Sequence, residues 1–222
     1  MNLSRYDYCL IEMKEIYYSD PQWAVRSQAF IKRLHHEIAK ELKERRSPKA
    51  TRDGVEIVEE AGVFGSYKKK DVDVAVIHPI NGPLMTIGVR SQMGSVGKNV
   101  LTYYQDIIGE CISLQERFPM TTMGYVYLHP LVAQHGEEPN HARFARLYSS
   151  IAERDDRLYK SQVGSYDQFA YLVVDFEQDP PLLRDDIVKD SVPSVDMRIS
   201  TFVDRMIDTF NRRNIWLDEL FV

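Results

Sequence analysis

Cysteine is scarce: the 222 residues contain only Cys9 and Cys111, in no metal-ligand spacing. A cysteine-built metal site is therefore not expected, and the reduced cytoplasm is the expected setting. Long hydrophobic runs are missing too. No stretch approaches the ~18 uninterrupted apolar residues of a membrane span, so contact with a membrane is not expected. The opening, Met1-Asn2-Leu3-Ser4-Arg5-Tyr6-Asp7, lacks a long apolar run, so no secretory leader is expected. Positive charge is not in excess either. A net charge of -5 excludes attraction of the whole molecule to nucleic acid, and any such surface has to be local. What is present is 44% hydrophobic content, which suits one well-packed domain over residues 1–222.

The most informative stretch is Asp71-Val72-Asp73-Val74-Ala75-Val76-Ile77. Its alternation predicts a strand with Asp71, Asp73 and Ala75 on one face and Val72, Val74 and Val76 on the other. His78-Pro79-Ile80-Asn81-Gly82-Pro83 supplies turn chemistry. A second strand over 84–92 then puts Gly88, Arg90 and Gln92 on one face. Two acids thus lie beside a strand that ends in a cation and an amide. A small-residue loop, Met93-Gly94-Ser95-Val96-Gly97, and a helix opening near Lys98-Asn99 follow.

These residues resemble the core of the PD-(D/E)XK nucleases, the restriction-endonuclease-like fold. Asp73-Val74-Ala75-Val76 resembles the family's first acid followed by apolar residues. Arg90-Ser91-Gln92 resembles the end of its second motif, often Lys-Ser-Gln in type II restriction enzymes. The resemblance implies an α/β fold with an αβββαβ core, a mixed central sheet flanked by helices, over about residues 21–130. A C-terminal helical extension would cover about 131–222. The pattern departs at Gly88-Val89-Arg90, where the family reads acid-any-Lys. In that family two acids hold a divalent cation and the lysine helps position or activate the attacking water. Carboxylate oxygens suit Mg²⁺. Arginine keeps the positive charge but cannot act as a base.

Around this hairpin the rest of the chain reads in order. A short helix is expected over 8–18. Asp20-Pro21 then signals a longer helix to about Arg46, with Trp23, Phe30, Ile31, Leu34, Ile38 and Leu42 as its buried stripe. Glu37 lies near the edge of that stripe, and in the resembled fold such a glutamate often points to the metal. His35 and His36 are adjacent on a helix, about 100° apart, which is poor chelating geometry. Residues 55–60 and 63–67 read as one bent or interrupted strand. Lys68-Lys69-Lys70 is either a phosphate contact or a solvated hairpin tip, and Lys98 is a further candidate contact. The clearest helix spans 99–118. It carries Asp106 and Glu110 on one face, and Glu110 is the candidate for a relocated second acid. The run 121–128 suits a central strand buried on both faces. His135 and His141 fall in a polar stretch with no metal spacing, which predicts an exposed loop. A helix over 142–159 carries Arg143, Arg146, Arg154 and Arg157, with Lys160 beyond. It is either a DNA-backbone surface or an ordinary charged outer face. A strand over 166–176, a surface loop over 175–193, and a last helix capped by Ser194 complete the chain.

The reading that follows from the resemblance is a Mg²⁺- (or Mn²⁺-) dependent endonuclease of restriction or phage-defence type. It would cut double-stranded DNA as a homodimer, since a two-fold dimer matches the duplex. Asp73 would bind the metal, with Asp71 as substitute. Arg90 would take the lysine's place, Gln92 would support it, and Glu37 or Glu110 would complete the metal shell. The alternative is a catalytically impaired, nuclease-like DNA-binding or assembly subunit of a defence complex, because Gly88 and Arg90 break the motif. A third reading makes the acids a salt-bridged strand end with no nucleic-acid role.

Overall fold

Capping chemistry sets the start of the chain. In the computed structural model, which describes residues 3–152 and 164–222, Ser4 Oγ accepts from the Asp7 amide at 3.2 Å. The Asp7 carboxylate in turn accepts from the Ser4 amide at 2.7 Å. This reciprocal pair opens α1 (Arg5–Ser19), which buries Tyr6, Leu10, Met13 and Tyr17 at helical spacing. The Asp20 carboxylate accepts from the Trp23 amide at 3.0 Å, and α2 (Pro21–Arg26) begins there.

The single long helix expected from Pro21 is two helices. Ser27 Oγ donates to the Trp23 carbonyl at 2.7 Å and accepts from the Ala29 amide at 3.3 Å. Serine bonding to nearby backbone competes with the helical ladder. Here Gln28 turns to a left-handed φ of 59° before α3 (Ala29–Glu44) resumes. Phe30, Ile31, Leu34, Ile38 and Leu42 are buried as expected, but Trp23 is 55% exposed. Ser47 then caps a short α4 (Pro48–Arg52) by accepting from the Ala50 amide at 3.1 Å.

One open, mixed sheet of six strands follows, in chain order: β1 (Glu56–Phe64), β2 (Lys69–His78), β3 (Gly82–Ser91), β4 (Thr122–Pro130), β5 (Gln168–Asp175) and β6 (Leu182–Leu183). The first three are antiparallel, β3, β4 and β5 run parallel, and β6 is antiparallel to β5. The β2–β3 turn closes when His78 Nδ1 accepts from the Ile80 and Asn81 amides at 3.1 and 3.2 Å. A parallel neighbour needs a crossover, and α5 (Val96–Arg117) provides it between β3 and β4. The chain thus follows the expected succession of helix, three strands, helix and strand. β4 is buried along its whole length, as its apolar run predicted.

β1 is the bent strand expected, continuous and kinked where Glu60 takes a φ of 55°. Several other expectations change. The C-terminal part is not a helical extension, because β5 pairs with β4 along the centre of the sheet. α6 (His141–Ser149) ends well short of the expected 142–159, and Arg154, Arg157 and Lys160 lie outside the described residues. The supposed surface loop contains β6 and α7 (Asp185–Ser191). Ser194 does not cap the last helix: α8 (Phe202–Arg213) starts after a short 3₁₀ turn at Ile199–Thr201. His141 is buried, contrary to the exposed loop expected.

Helices cover both faces. On one, α1, α3 and α8 enclose a core with Leu34, Val74, Val76, Ile87, Val126, Leu128 and Met206, joined by Phe30, Phe202 and Phe210. On the other, α5, α6 and α7 pack on Tyr125, Tyr127, Phe169 and Tyr171. α8 comes so close to β4 that a Cβ at Gly124 would lie 2.6 Å from Met206 Sδ. Leu220 and Phe221 dock on the same core. Among the described residues no helix is long and apolar enough to cross a membrane.

Two buried polar groups carry predictions. Asp167 accepts from the Met123 amide at 2.7 Å and from Arg213 at 2.8 Å, which ties α8 to the starts of β4 and β5. Replacing Arg213 with methionine leaves a buried carboxylate without its cation. This is expected to cost about 3–5 kcal/mol, read from urea unfolding. His129 sits among Tyr127, Phe144, Tyr148 and Tyr171. Burial, with His141 nearby, pushes its imidazole down from 6.5 to about 3. The unfolded chain takes up this proton below pH 6.5 and the folded chain does not, so the stability is present above 6.5 and is lost as pH falls towards 3. The melting temperature should therefore drop across that window, and His129→Phe should flatten the slope.

Candidate functional site

The ladder between β2 and β3 ends at the Val74–Ile87 pair. Beyond it the Asp73 carboxylate takes the place of a strand partner, and its Oδ2 accepts from the Val89 amide at 2.7 Å. The strand twists at this point. Val72 packs in the core beneath α5, whereas Val74 packs beneath α3. The uniform alternation expected for Val72, Val74 and Val76 therefore fails, and Asp73 lies between the two faces with 12% of its side chain exposed.

Arg90, on β3, meets it. Its Nη1 lies 3.9 Å from Asp73 Oδ1 and its Nη2 lies 3.9 Å from Glu110 Oε1 on α5. Glu110 also pairs closely with Lys70 of β2. Two cations thus face two carboxylates in a largely buried cluster. Burial opposes the Arg90 charge, but Tyr125, Asp73 and Glu110 outweigh it and hold the guanidinium above its ordinary value. Tyr125 reaches Arg90 because Gly88 has no side chain: a Cβ there would lie 2.5 Å from the Tyr125 ring. The position at which the resembled motif carries an acid therefore has no room for one.

The other expected site residues scatter. Asp71 is exposed and pairs with Lys69 at 3.2 Å. Glu37 is drawn to Arg5 at 3.5 Å and Lys40 at 3.8 Å. Gln92 braces the loop after β3, donating to the Gly94 and Ser95 carbonyls at 3.1 and 2.9 Å. His35 is buried, and His36 is exposed beside Glu59 at 3.2 Å, so they diverge as the helical spacing requires. Of the basic residues, Lys69 and Lys70 are held in ion pairs, while Lys68, Lys98, Arg143 and Arg146 are exposed. Among the described residues no three His, Cys, Asp or Glu side chains come together to hold a metal ion. The donor set does not fit the Mg²⁺ expected from the resemblance.

Sequence reasoning missed Lys70 as the partner of Glu110, Tyr125 as a cover for Arg90, and Glu137. The Glu137 carboxylate accepts from the Val96 and Gly97 amides at 3.0 and 2.8 Å. It thereby fills the N-terminus of α5, where an anion would otherwise be favoured. Gly88 beside an aromatic-rich strand was the one available signal for the Tyr125 contact. Two clefts open on Arg90. One of about 280 Å³ is lined by Tyr103, Asp106, Glu110, Tyr125 and Tyr127, and the other, of about 400 Å³, lies towards the α2–α3 break.

Comparison with known proteins finds no family model, no curated protein and no solved structure that matches this chain.

Placing an acid at position 88 is expected to displace Tyr125 rather than complete a metal shell. Gly88→Asp should lower stability by about 1–3 kcal/mol and produce no Mn²⁺ site, as read by thermal unfolding and calorimetry.

Proposed function

We propose that the chain is a nuclease-like subunit that binds nucleic acid or assembles with a defence complex without cutting. The observation that carries this reading is the Arg90 guanidinium held 3.9 Å from both Asp73 and Glu110. An arginine and a lysine already neutralise the two carboxylates that a divalent ion would need. Removing either cation would leave buried charge unpaired. Lys68, Lys98, Arg143 and Arg146, exposed on an otherwise acidic molecule, are the groups offered to a phosphate backbone. The restriction-endonuclease-like core remains the fold class this reading assumes.

A second reading, a Mg²⁺-dependent endonuclease acting on double-stranded DNA as a homodimer, is favoured by one feature. Asp73 and Glu110 both lie 3.9 Å from the Arg90 guanidinium, and Glu110 lines a cleft of about 280 Å³.

Calorimetry and cleavage together separate the two. The wild-type chain should show no saturable Mn²⁺ binding and leave plasmid DNA uncut in Mg²⁺ or Mn²⁺. Arg90→Ala should gain Mn²⁺ binding, because Asp73 loses its facing guanidinium and Glu110 keeps only Lys70. Cleavage by the wild type that disappears in a folded Asp73→Ala would establish the endonuclease reading instead. Binding to duplex DNA should weaken with salt, and the combined change of Lys68, Lys98 and Arg143 to glutamate should reduce it about tenfold or more. No duplex binding at low salt removes nucleic acid from the proposal.

A further inference from the structure

The larger cleft has features that the charge cluster does not explain. It lies between the α2–α3 break and the loop after β3, with Gln28, Phe30, His35, Arg90, Asn99 and Tyr103 among its walls. Its volume of about 400 Å³ is in the range of small-molecule sites. Asp73, Glu110 and Lys70 do not line it, and Arg90 is the one lining residue with a formal charge.

His35 is the unusual member. It is 2% exposed, and neither ring nitrogen has a hydrogen-bond partner. The carboxylate facing it, Asp73 Oδ1, is 4.0 Å away, beyond hydrogen-bond reach. Buried polar atoms are nearly always paired, because leaving them unpaired costs stability. A histidine kept in this state on a cleft wall is a group prepared for a ligand. Asn99 is half-buried on the same cleft, and its side chain makes no hydrogen bond among the described residues. By contrast, Gln92 and Gln134 spend their amides on the loop and on Tyr17.

We infer that this cleft binds one nucleotide, with the phosphate at Arg90, the base against the exposed Tyr103 ring, and the base edge read by His35 and Asn99. Neutral imidazole and amide each offer a donor and an acceptor, which suits a base edge. An aromatic wall suits the face of a base. The choice of a nucleotide over other phosphorylated rings rests on the nucleic-acid reading above. Either a free mononucleotide or one nucleotide of a single strand would supply this chemistry.

The intact protein is titrated with each of the four nucleoside monophosphates, with inorganic phosphate, with a short single-stranded oligonucleotide and with a duplex. At least one monophosphate, or the single strand, should bind more tightly than inorganic phosphate. His35→Phe and Asn99→Ala should each weaken that binding about tenfold, the loss of one good hydrogen bond. His35→Phe keeps the ring and removes the unpaired nitrogens, so its melting temperature should equal or exceed that of the wild type. A merely structural histidine would not combine lost binding with an undiminished melting temperature. Binding of the monophosphate identifies a free nucleotide, and binding of the strand alone identifies a strand position. The inference is overturned if none of these probes binds more tightly than phosphate, or if both variants bind as the wild type does. Duplex binding that survives in both variants leaves the nucleic-acid reading standing while the cleft assignment falls. Monophosphate binding without any duplex binding does the reverse.

Discussion

Everything at the site depends on how β2 and β3 part. Past Val74 and Ile87 no backbone partner remains for the Val89 amide, and the Asp73 carboxylate supplies one. A carboxylate drawn into a sheet loses most of its water, and such a charge persists only if it is hydrogen-bonded and faced by a cation. Arg90, the residue after Val89, lies at the required distance. Its position in turn requires Tyr125 to lie across Gly88, since any side chain there would expel the ring. The glycine at position 88 and the arginine at position 90 thus belong to one arrangement, built around a single aspartate.

Much of this arrangement could be read from local sequence, and the rest could not for identifiable reasons. Asp20-Pro21, the β2–β3 hairpin and the long α5 are local signals, and they held because capping, turn chemistry and apolar spacing act over a few residues. The break at Ser27 and Gln28 went unseen because serine competes with a helix only when its hydroxyl finds the backbone. The exchange of faces between Val72 and Val74 was invisible because alternation assumes a regular strand, while the kink at Glu60 on the neighbouring strand twists this one. Glu110 was singled out as an acid facing the hairpin, and it does face Arg90. Its partner Lys70 read as either a phosphate contact or part of a solvated tip, because nothing local distinguishes it from Lys68 or Lys69.

The two faces of the sheet are built differently. The α3 side mixes aliphatic residues of the strands with Tyr6, Phe30, Phe202 and Phe210 from the helices. The α5 side stacks Tyr125, Tyr127, Tyr148, Phe169 and Tyr171 around His129 and His141. Aromatic rings fill volume with few rotatable bonds, and their hydroxyls and nitrogens need partners. The Tyr171 hydroxyl meets His129 and His141 at 3.0 and 2.8 Å. That face is therefore specified by hydrogen bonds as well as by shape. β5 supplies two of its rings, and Asp167 just before β5 receives Arg213 from α8. The chain beyond residue 131 is accordingly part of the same core.

The nature of the cation at the centre decides what the site can do. A divalent ion keeps waters and exchangeable positions, which is what lets it activate a nucleophile. A guanidinium brings a fixed plane of donors, stays charged throughout the accessible pH range and cannot accept a proton. Held by Asp73, Glu110 and Tyr125, Arg90 lines both clefts, where its guanidinium offers donors and positive charge but no acceptor. The N-terminus of α5, the other natural anion receptor beside the loop, is already filled by Glu137. On the reading proposed above, a phosphate would meet the Arg90 guanidinium, with the carboxylates of Asp106 and Glu110 on the wall of the smaller cleft.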